Sequence, residues 1–145
     1  MNPPTQVHII IDAKDQILGR FATHAAKAAL CGVKVSIINC EKAYLSGSAF
    51  NLNARYRARR ERGEPRNGPF FPRHPDRFVK RTIRGMLPWD RVRGAQAFKR
   101  ITCYIGKPLD LKGDHFEIKG IDISKLPTLK YVSVGELCQR MGWKE

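Results

Sequence analysis

Apolar positions along the chain fall into short β-branched runs separated by helical or turn-rich stretches. Val7–Asp12, Lys34–Asn39 and Ile101–Ile105 are dense in Ile and Val and predict strands. In the first two the apolar residues are nearly continuous, which suits strands covered on both faces, as in a parallel sheet. Between them, Leu18–Leu30 has helical spacing: Leu18, Phe21, Ala22, Ala25 and Ala29 share one face, and Arg20, His24 and Lys27 the other. Gly32 follows as a helix stop. Strand, helix and strand with short links predict a βαβ unit with a right-handed crossover, hence a layered α/β fold.

Near the C-terminal end, Ser133 and Glu136 have capping-box spacing, and Leu137 and Met141 then share a helix face. Lys107–Pro127 mixes Lys, Asp, Gly and Pro without a period. It predicts a long surface connection, with a further strand near Phe116–Ile118.

A length of 145 residues suits one compact domain, and a hydrophobic content of 42% is enough for a core. No apolar run approaches the ~20 residues of a membrane span. Met1–Val7 has neither the basic and apolar regions of a signal peptide nor the pattern of a transit peptide, so the chain reads as cytosolic. Cys31, Cys40, Cys103 and Cys138 form no C-x-x-C pair and have apolar neighbours, which predicts four buried thiols rather than a zinc ribbon.

Charge changes the picture most. The formal net charge is +14, and a chain this basic seeks a polyanion. From Arg55 to Arg100, fifteen Lys/Arg against four acids leave +11 of that excess, and thirteen of the fifteen are Arg. Arginine offers a planar fork of donors to phosphate and can stack on bases, so this bias favours RNA over a generic solvated surface. The densest part carries Arg55, Arg57, Arg59, Arg60 and Arg62, which point all round a helical wheel. Such a helix is expected to bury no face in protein and to depend on phosphates around it.

His74-Pro75-Asp76 predicts a helix start with Pro in the first turn. Arg77, Lys80, Arg81 and Arg84 then form one basic stripe at i, i+3, i+4, i+7, with Val79, Ile83, Met86 and Leu87 broadly opposite. The Pro- and Gly-rich stretch between the two basic elements, residues 63–73, predicts an extended loop. Its Phe70 and Phe71 can stack on unpaired bases or anchor the loop on the core, and Trp89 has the same two uses.

No sequence pattern for catalysis or cofactor binding is present. The chain has neither G-x-G-x-x-G nor G-x-x-x-x-G-K-[ST], its His8, His24, His74 and His115 form no metal-binding pattern, and no serine sits in a G-x-S-x-G elbow. No catalytic residue, metal or cofactor is expected. A structural RNA-binder has three rivals: an RNA-binding regulator, which sedimentation would tell apart, and a nucleotide-dependent enzyme on the βαβ unit and a membrane-surface protein, which lack a phosphate loop and a matching apolar helix face respectively.

Several blocks together resemble the ribosomal protein L-thirteen family of the large subunit. They are Asp12 with Ile17-Leu18-Gly19-Arg20; Ile37-Ile38-Asn39-Cys40-Glu41-Lys42-Ala43 with Ser46-Gly47; and Arg81-Thr82-Ile83-Arg84-Gly85-Met86-Leu87-Pro88-Trp89 with Arg93-Gly94 and Ala97-Phe98-Lys99-Arg100. Tyr104-Ile105-Gly106-Lys107-Pro108 and Lys130-Tyr131-Val132-Ser133-Val134-Gly135-Glu136 complete the set. Cys40 stands where the family often has Ala, and Lys107–Ile123 departs from its pattern.

The resemblance implies a three-layer α/β sandwich, a small four-stranded parallel sheet between helices with an arginine-rich helical and loop extension. It also implies an archaeal or eukaryotic branch, of archaeal-type length. Within a single domain over 1–145, residues 7–47 make the βαβ core, 48–74 the extension, and 75–145 the remaining helices, the third strand and the capped helix. The expected role is non-catalytic, binding and stabilising large-subunit ribosomal RNA in the cytoplasm beside neighbouring subunit proteins, with no membrane or small-molecule substrate. The candidate RNA-binding residues are Arg20, Arg55, Arg57, Arg59, Arg60, Arg62, Arg66, Arg73, Arg77, Lys80, Arg81, Arg84, Trp89, Arg91, Arg93, Lys99 and Arg100. Recognition is expected to rest on RNA shape more than on base edges.

Overall fold

A computed structural model describes residues 7–118 and 120–144, so most of the Met1–Val7 stretch read above lies outside the described residues. In chain order the elements are β1 (His8–Asp12), α1 (Leu18–Leu30), β2 (Lys34–Ile38), β3 (Tyr44–Ser46), α2 (Ala49–Glu61), α3 (Pro75–Arg84), α4 (Val92–Lys99), β4 (Ile101–Cys103), β5 (Asp114–His115), β6 (Tyr131–Ser133) and α5 (Val134–Arg140). Strands β4, β2, β1 and β5 form, in that order, a four-stranded parallel sheet flanked by helices, the α/β architecture expected.

Alternation along the strands explains their composition. Ile11, Val35, Ile37 and Ile101 join Leu18, Phe21, Ala22, Ala25 and Ala29 of α1 and Val79 and Ile83 of α3 in one core. The intervening positions Ile10, Ser36 and Ile38 are also buried, which is why these strands read as continuous apolar runs. Ser36 is the buried polar exception, and its hydroxyl lies 2.8 Å from His8 Nε2 across the β1–β2 pair. Helix α1 ends where expected: Gly32 has φ +97°, a conformation that suits glycine, and its N–H donates to the Ala29 carbonyl.

The crevice beside β1 is occupied by the chain itself. In a doubly wound sheet, ligands bind beyond the carboxyl ends of the strands. Here the turn after β1 is bonded to a later segment: Ile17 N–H donates to the Ile121 carbonyl and Ile123 N–H to the Asp15 carbonyl. Ile121 is buried there.

Several expectations need correction. The fourth strand is Asp114–His115 rather than Phe116–Ile118. Gly113 lets it start early, because a Cβ there would lie 2.9 Å from the His8 carbonyl oxygen, and Ile118 turns into the core instead. Helix α2 does bury a face. Leu52 and Tyr56, at i and i+4, pack on the core, and Tyr56 meets Phe71 and Phe78 with ring centroids 5.8 and 5.1 Å away. The anchor begins upstream of the arginines, where the charge pattern does not reach.

The thiols also differ. Cys40 and Cys138 are buried, but Cys103 is half-buried and Cys31, at the end of α1, is exposed. Residues 63–73 are not simply extended: Glu64 and Gly68 exchange main-chain hydrogen bonds of 3.2 and 2.9 Å, closing a tight turn.

The antiparallel pair β3–β6 was not anticipated, since three-residue strands carry no readable period. It leads into α5, whose first turn is capped by Ser133 Oγ accepting from Glu136 N–H. Only that half of the expected capping box forms, because the Glu136 carboxylate accepts from Arg140 one turn on.

Candidate nucleic-acid interface

The basic stripe belongs to α3. Pro75 stands in its first turn, and Phe78, Val79 and Ile83 fasten it to the core. Arg77, Arg81 and Arg84 are exposed and Lys80 is half-buried. Leu87 is buried as expected, but Met86 is not: it lies past the helix end, exposed, with its Sδ accepting from the Thr23 hydroxyl.

Each of the three later cations of the stripe sits over an aromatic ring. The Arg84 guanidinium is 4.1 Å from the Trp89 centroid, Lys80 Nζ is 5.0 Å from Phe98, and the Arg81 guanidinium is 4.7 Å from Phe71. Trp89 and Phe98 meet edge-on at 5.0 Å. Exposed cation–π contacts are worth only about 0.5–1 kcal/mol each. Such contacts also hold flexible side chains in place, which lowers the entropy cost of any further contact by their N–H groups.

Between α3 and the edge strand β4 this arrangement encloses an open groove of about 710 Å³, with Thr102 and Cys103 among its lining residues and Arg77, Lys80, Arg81, Arg84, Trp89 and Phe98 on its walls. Asp76 is the one acid lining it. The basic side continues toward α2, where Arg59, Arg62 and Arg81 surround Phe70 and Phe71. Of the two aromatics, Phe71 anchors the loop by packing against Tyr56 and Phe78, while Phe70 stays exposed.

Several other candidates are engaged within the protein. Arg60 Nη1 donates to the Met141 carbonyl at the end of α5, and Arg100 Nη1 to the Ala29 carbonyl at the end of α1. Arg20 Nη1 donates to the Gly120 carbonyl. Arg73 passes beside Gly142 but is exposed. Arg57 pairs with Glu61 one turn on, and that hydrogen bond holds the Glu61 carboxyl below the usual carboxylate range. Arg55, Arg59, Arg62 and Arg66 are exposed along α2 and the following turn, and Arg91, Arg93 and Lys99 at and along α4. Phe98 and Tyr56 were missed as parts of the site, because a lone aromatic in a charged stretch carries no signal of which cation it will meet.

The two buried thiols, Cys40 and Cys138, are poorly suited to chemistry. The neighbouring Cys103 thiol and burial push Cys40 well above the ordinary thiol range, and burial pushes Cys138 up to about 12. Among the described residues no cluster of His, Cys, Asp or Glu could hold a metal ion, and no helix is long and apolar enough to cross a membrane.

The family model described as ribosomal protein L13 matches residues 6–110, well over half of the chain. The chain belongs to the ribosomal protein L13 family. The match spans the βαβ unit, α2, the α3 stripe and α4. Relatives extend it further. The large ribosomal subunit protein uL13 of Methanosarcina barkeri is 46% identical over 137 residues, covering 93% of this chain and 98% of the relative. Those of Methanopyrus kandleri and Archaeoglobus fulgidus are each 40% identical, covering 93% of this chain and 87% and 88% of the relatives. All three are archaeal, in line with the archaeal or eukaryotic branch that the resemblance implies. Beyond residue 110, where the L13 model stops, lie β5, the segment over the β1 turn, and the β6–α5 unit.

Proposed function

We propose that the chain is a structural constituent of the large ribosomal subunit that binds and stabilises large-subunit ribosomal RNA, during assembly and in the mature particle. The carrying observation is the basic and aromatic band that runs from α2 over α3 to Trp89, on a chain of this family. Cations held over rings present donors to phosphate at low entropic cost, and the core beneath keeps their spacing fixed.

Under this reading the candidates divide by role. Arg55, Arg59, Arg62, Arg66, Arg77, Lys80, Arg81, Arg84, Trp89, Arg91, Arg93 and Lys99 meet RNA. Arg20, Arg57, Arg60 and Arg100 are engaged within the protein first, and the exposed Arg73 is left for RNA. The role is non-catalytic, and the occupied crevice beside β1 supports that against the nucleotide-enzyme alternative. The chain acts as one unit over 1–145, in the cytoplasm, against ribosomal RNA and neighbouring subunit proteins.

Sedimentation tests it. A tagged copy expressed in an archaeal host should travel with large subunits and remain through a high-salt wash. Recovery only in the free protein fractions would overturn the reading.

A further inference from the structure

The turn between α2 and α3 holds Phe70 where folding gains nothing from it. Its ring is 70% exposed, although Phe71 beside it is anchored between Tyr56 and Phe78. The position is nonetheless built. Gly63 has φ +91°, and a Cβ there would come within 2.2 Å of the Gly68 carbonyl oxygen, so the closed Glu64–Gly68 turn requires glycine. A Cβ on Gly68 would lie 3.1 Å from Phe70 Cδ2 and Cε2, so the ring lies close to bare main chain at Gly68. Arg81 Nη1 donates to the Phe70 carbonyl at 3.3 Å.

Beside Phe70 opens a slot of about 370 Å³, lined by Arg59, Arg62, Pro69, Phe70, Phe71 and Arg81. Among the described residues it contains three guanidiniums and no acid. The acid of the same turn, Glu64, is engaged by Asn67 Nδ2 at 2.8 Å. A flat ring, a second aromatic wall and three cations suit a planar, uncharged group attached to phosphates. An apolar peptide side chain would strip water from the guanidiniums and return nothing. A nucleobase with its two flanking phosphates satisfies both the ring and the charges.

We infer that Phe70 is the stacking platform for one unpaired base of the bound RNA, with Arg59, Arg62 and Arg81 on the phosphates that flank it. The inference rests on the RNA-binding reading and adds to it. Shape recognition alone would need only the cations, whereas this slot requires a nucleotide extruded from its helix or lying in a loop. Stacking tolerates any base, so the site selects an unpaired position rather than a sequence.

Two RNA probes test it on the full chain: a short duplex, and the same duplex carrying a single bulged adenosine. The wild-type protein should bind the bulged probe tighter by roughly tenfold. Phe70→Leu should lose that preference and keep its affinity for the plain duplex, while Phe70→Trp should retain the preference. Equal affinity of the wild type for both probes, or a preference that survives Phe70→Leu, overturns the inference and leaves the RNA-binding reading standing. Binding of neither probe at low salt removes both. In isolated large subunits, ultraviolet crosslinking should place a nucleotide on the tryptic peptide Asn67–Arg73. A crosslink from that peptide to another subunit protein instead would assign the slot to protein and overturn the inference.

Discussion

The Arg84 guanidinium lies 4.1 Å from the centroid of the Trp89 indole, and the two residues reach each other only because the chain turns sharply at Leu87-Pro88. The turn is held from outside. Gly94 of α4 packs so closely on it that a Cβ there would sit 2.0 Å from the Pro88 carbonyl oxygen. The α4 glycine therefore places the indole, and the indole places the last cation of the α3 stripe. A feature that looks like surface charge is fixed by main-chain packing.

Arg84→Lys keeps the charge but loses the planar stack. It should weaken binding to large-subunit RNA by about 1 kcal/mol, roughly fivefold, with little change in the salt slope. Trp89→Leu should weaken it to a similar degree, since Arg84 is then free to swing. Filter binding over a salt series separates this effect from loss of a phosphate contact.

Removing charge should behave differently. Arg77→Gln and Lys80→Gln should each lower the slope of log affinity against log salt by about 0.7–0.9. The same titration measures it. An unchanged slope would mean that these groove residues do not meet phosphate.

Gly94→Ala should destabilise the fold by about 1–3 kcal/mol, because the added methyl meets main chain rather than a side chain that can move aside. Thermal unfolding gives the loss. A near-native melting temperature would show that the Pro88–Trp89 turn yields easily.

Tyr56→Ala should cost about 3 kcal/mol, since it empties the centre of the Tyr56–Phe71–Phe78 cluster that holds α2 to the core. Urea unfolding checks the magnitude, and limited proteolysis should show new cuts within 49–61. Arg55→Ala, on the exposed side of the same helix, should leave stability within about 0.5 kcal/mol.

The thiols predict a pH dependence. Cys138 is raised from 9.0 to about 12 by burial, so between those values the unfolded chain loses this proton while the folded chain keeps it. The folded state then binds more protons, and its stability should fall as pH rises through that window. At pH 8 iodoacetamide should modify the exposed Cys31 while Cys40 and Cys138 stay protected, as mass spectrometry of the native protein would show.

Much of the fold and of the interface was legible because it rests on period. The α1 face, the β1 and β2 runs and the α3 stripe each repeat a local spacing, and local spacing survives in one dimension. Where the reading failed, the deciding partner was distant or the element too short. Leu52, upstream of the arginines of α2, and Tyr56, among them, anchor that helix. The β3–β6 pair joins three-residue segments far apart in the chain. Cys31 looks apolar by its neighbours, yet lies at a helix end in solvent.

Charge, periodicity and the family blocks thus determine that this is a basic α/β protein whose excess charge gathers in an arginine-rich middle, because net charge and helical faces are sums over near neighbours. Which arginines remain free of the fold is a tertiary matter. Arg60 and Arg100 bond to carbonyls at the ends of α5 and α1, elements remote from them in sequence. Arg84, Arg81 and Lys80 instead rest on Trp89, Phe71 and Phe98. A guanidinium is the same group in every case, and only the carbonyl or ring that the folded chain brings to it separates an arginine tied into the fold from one held at the surface.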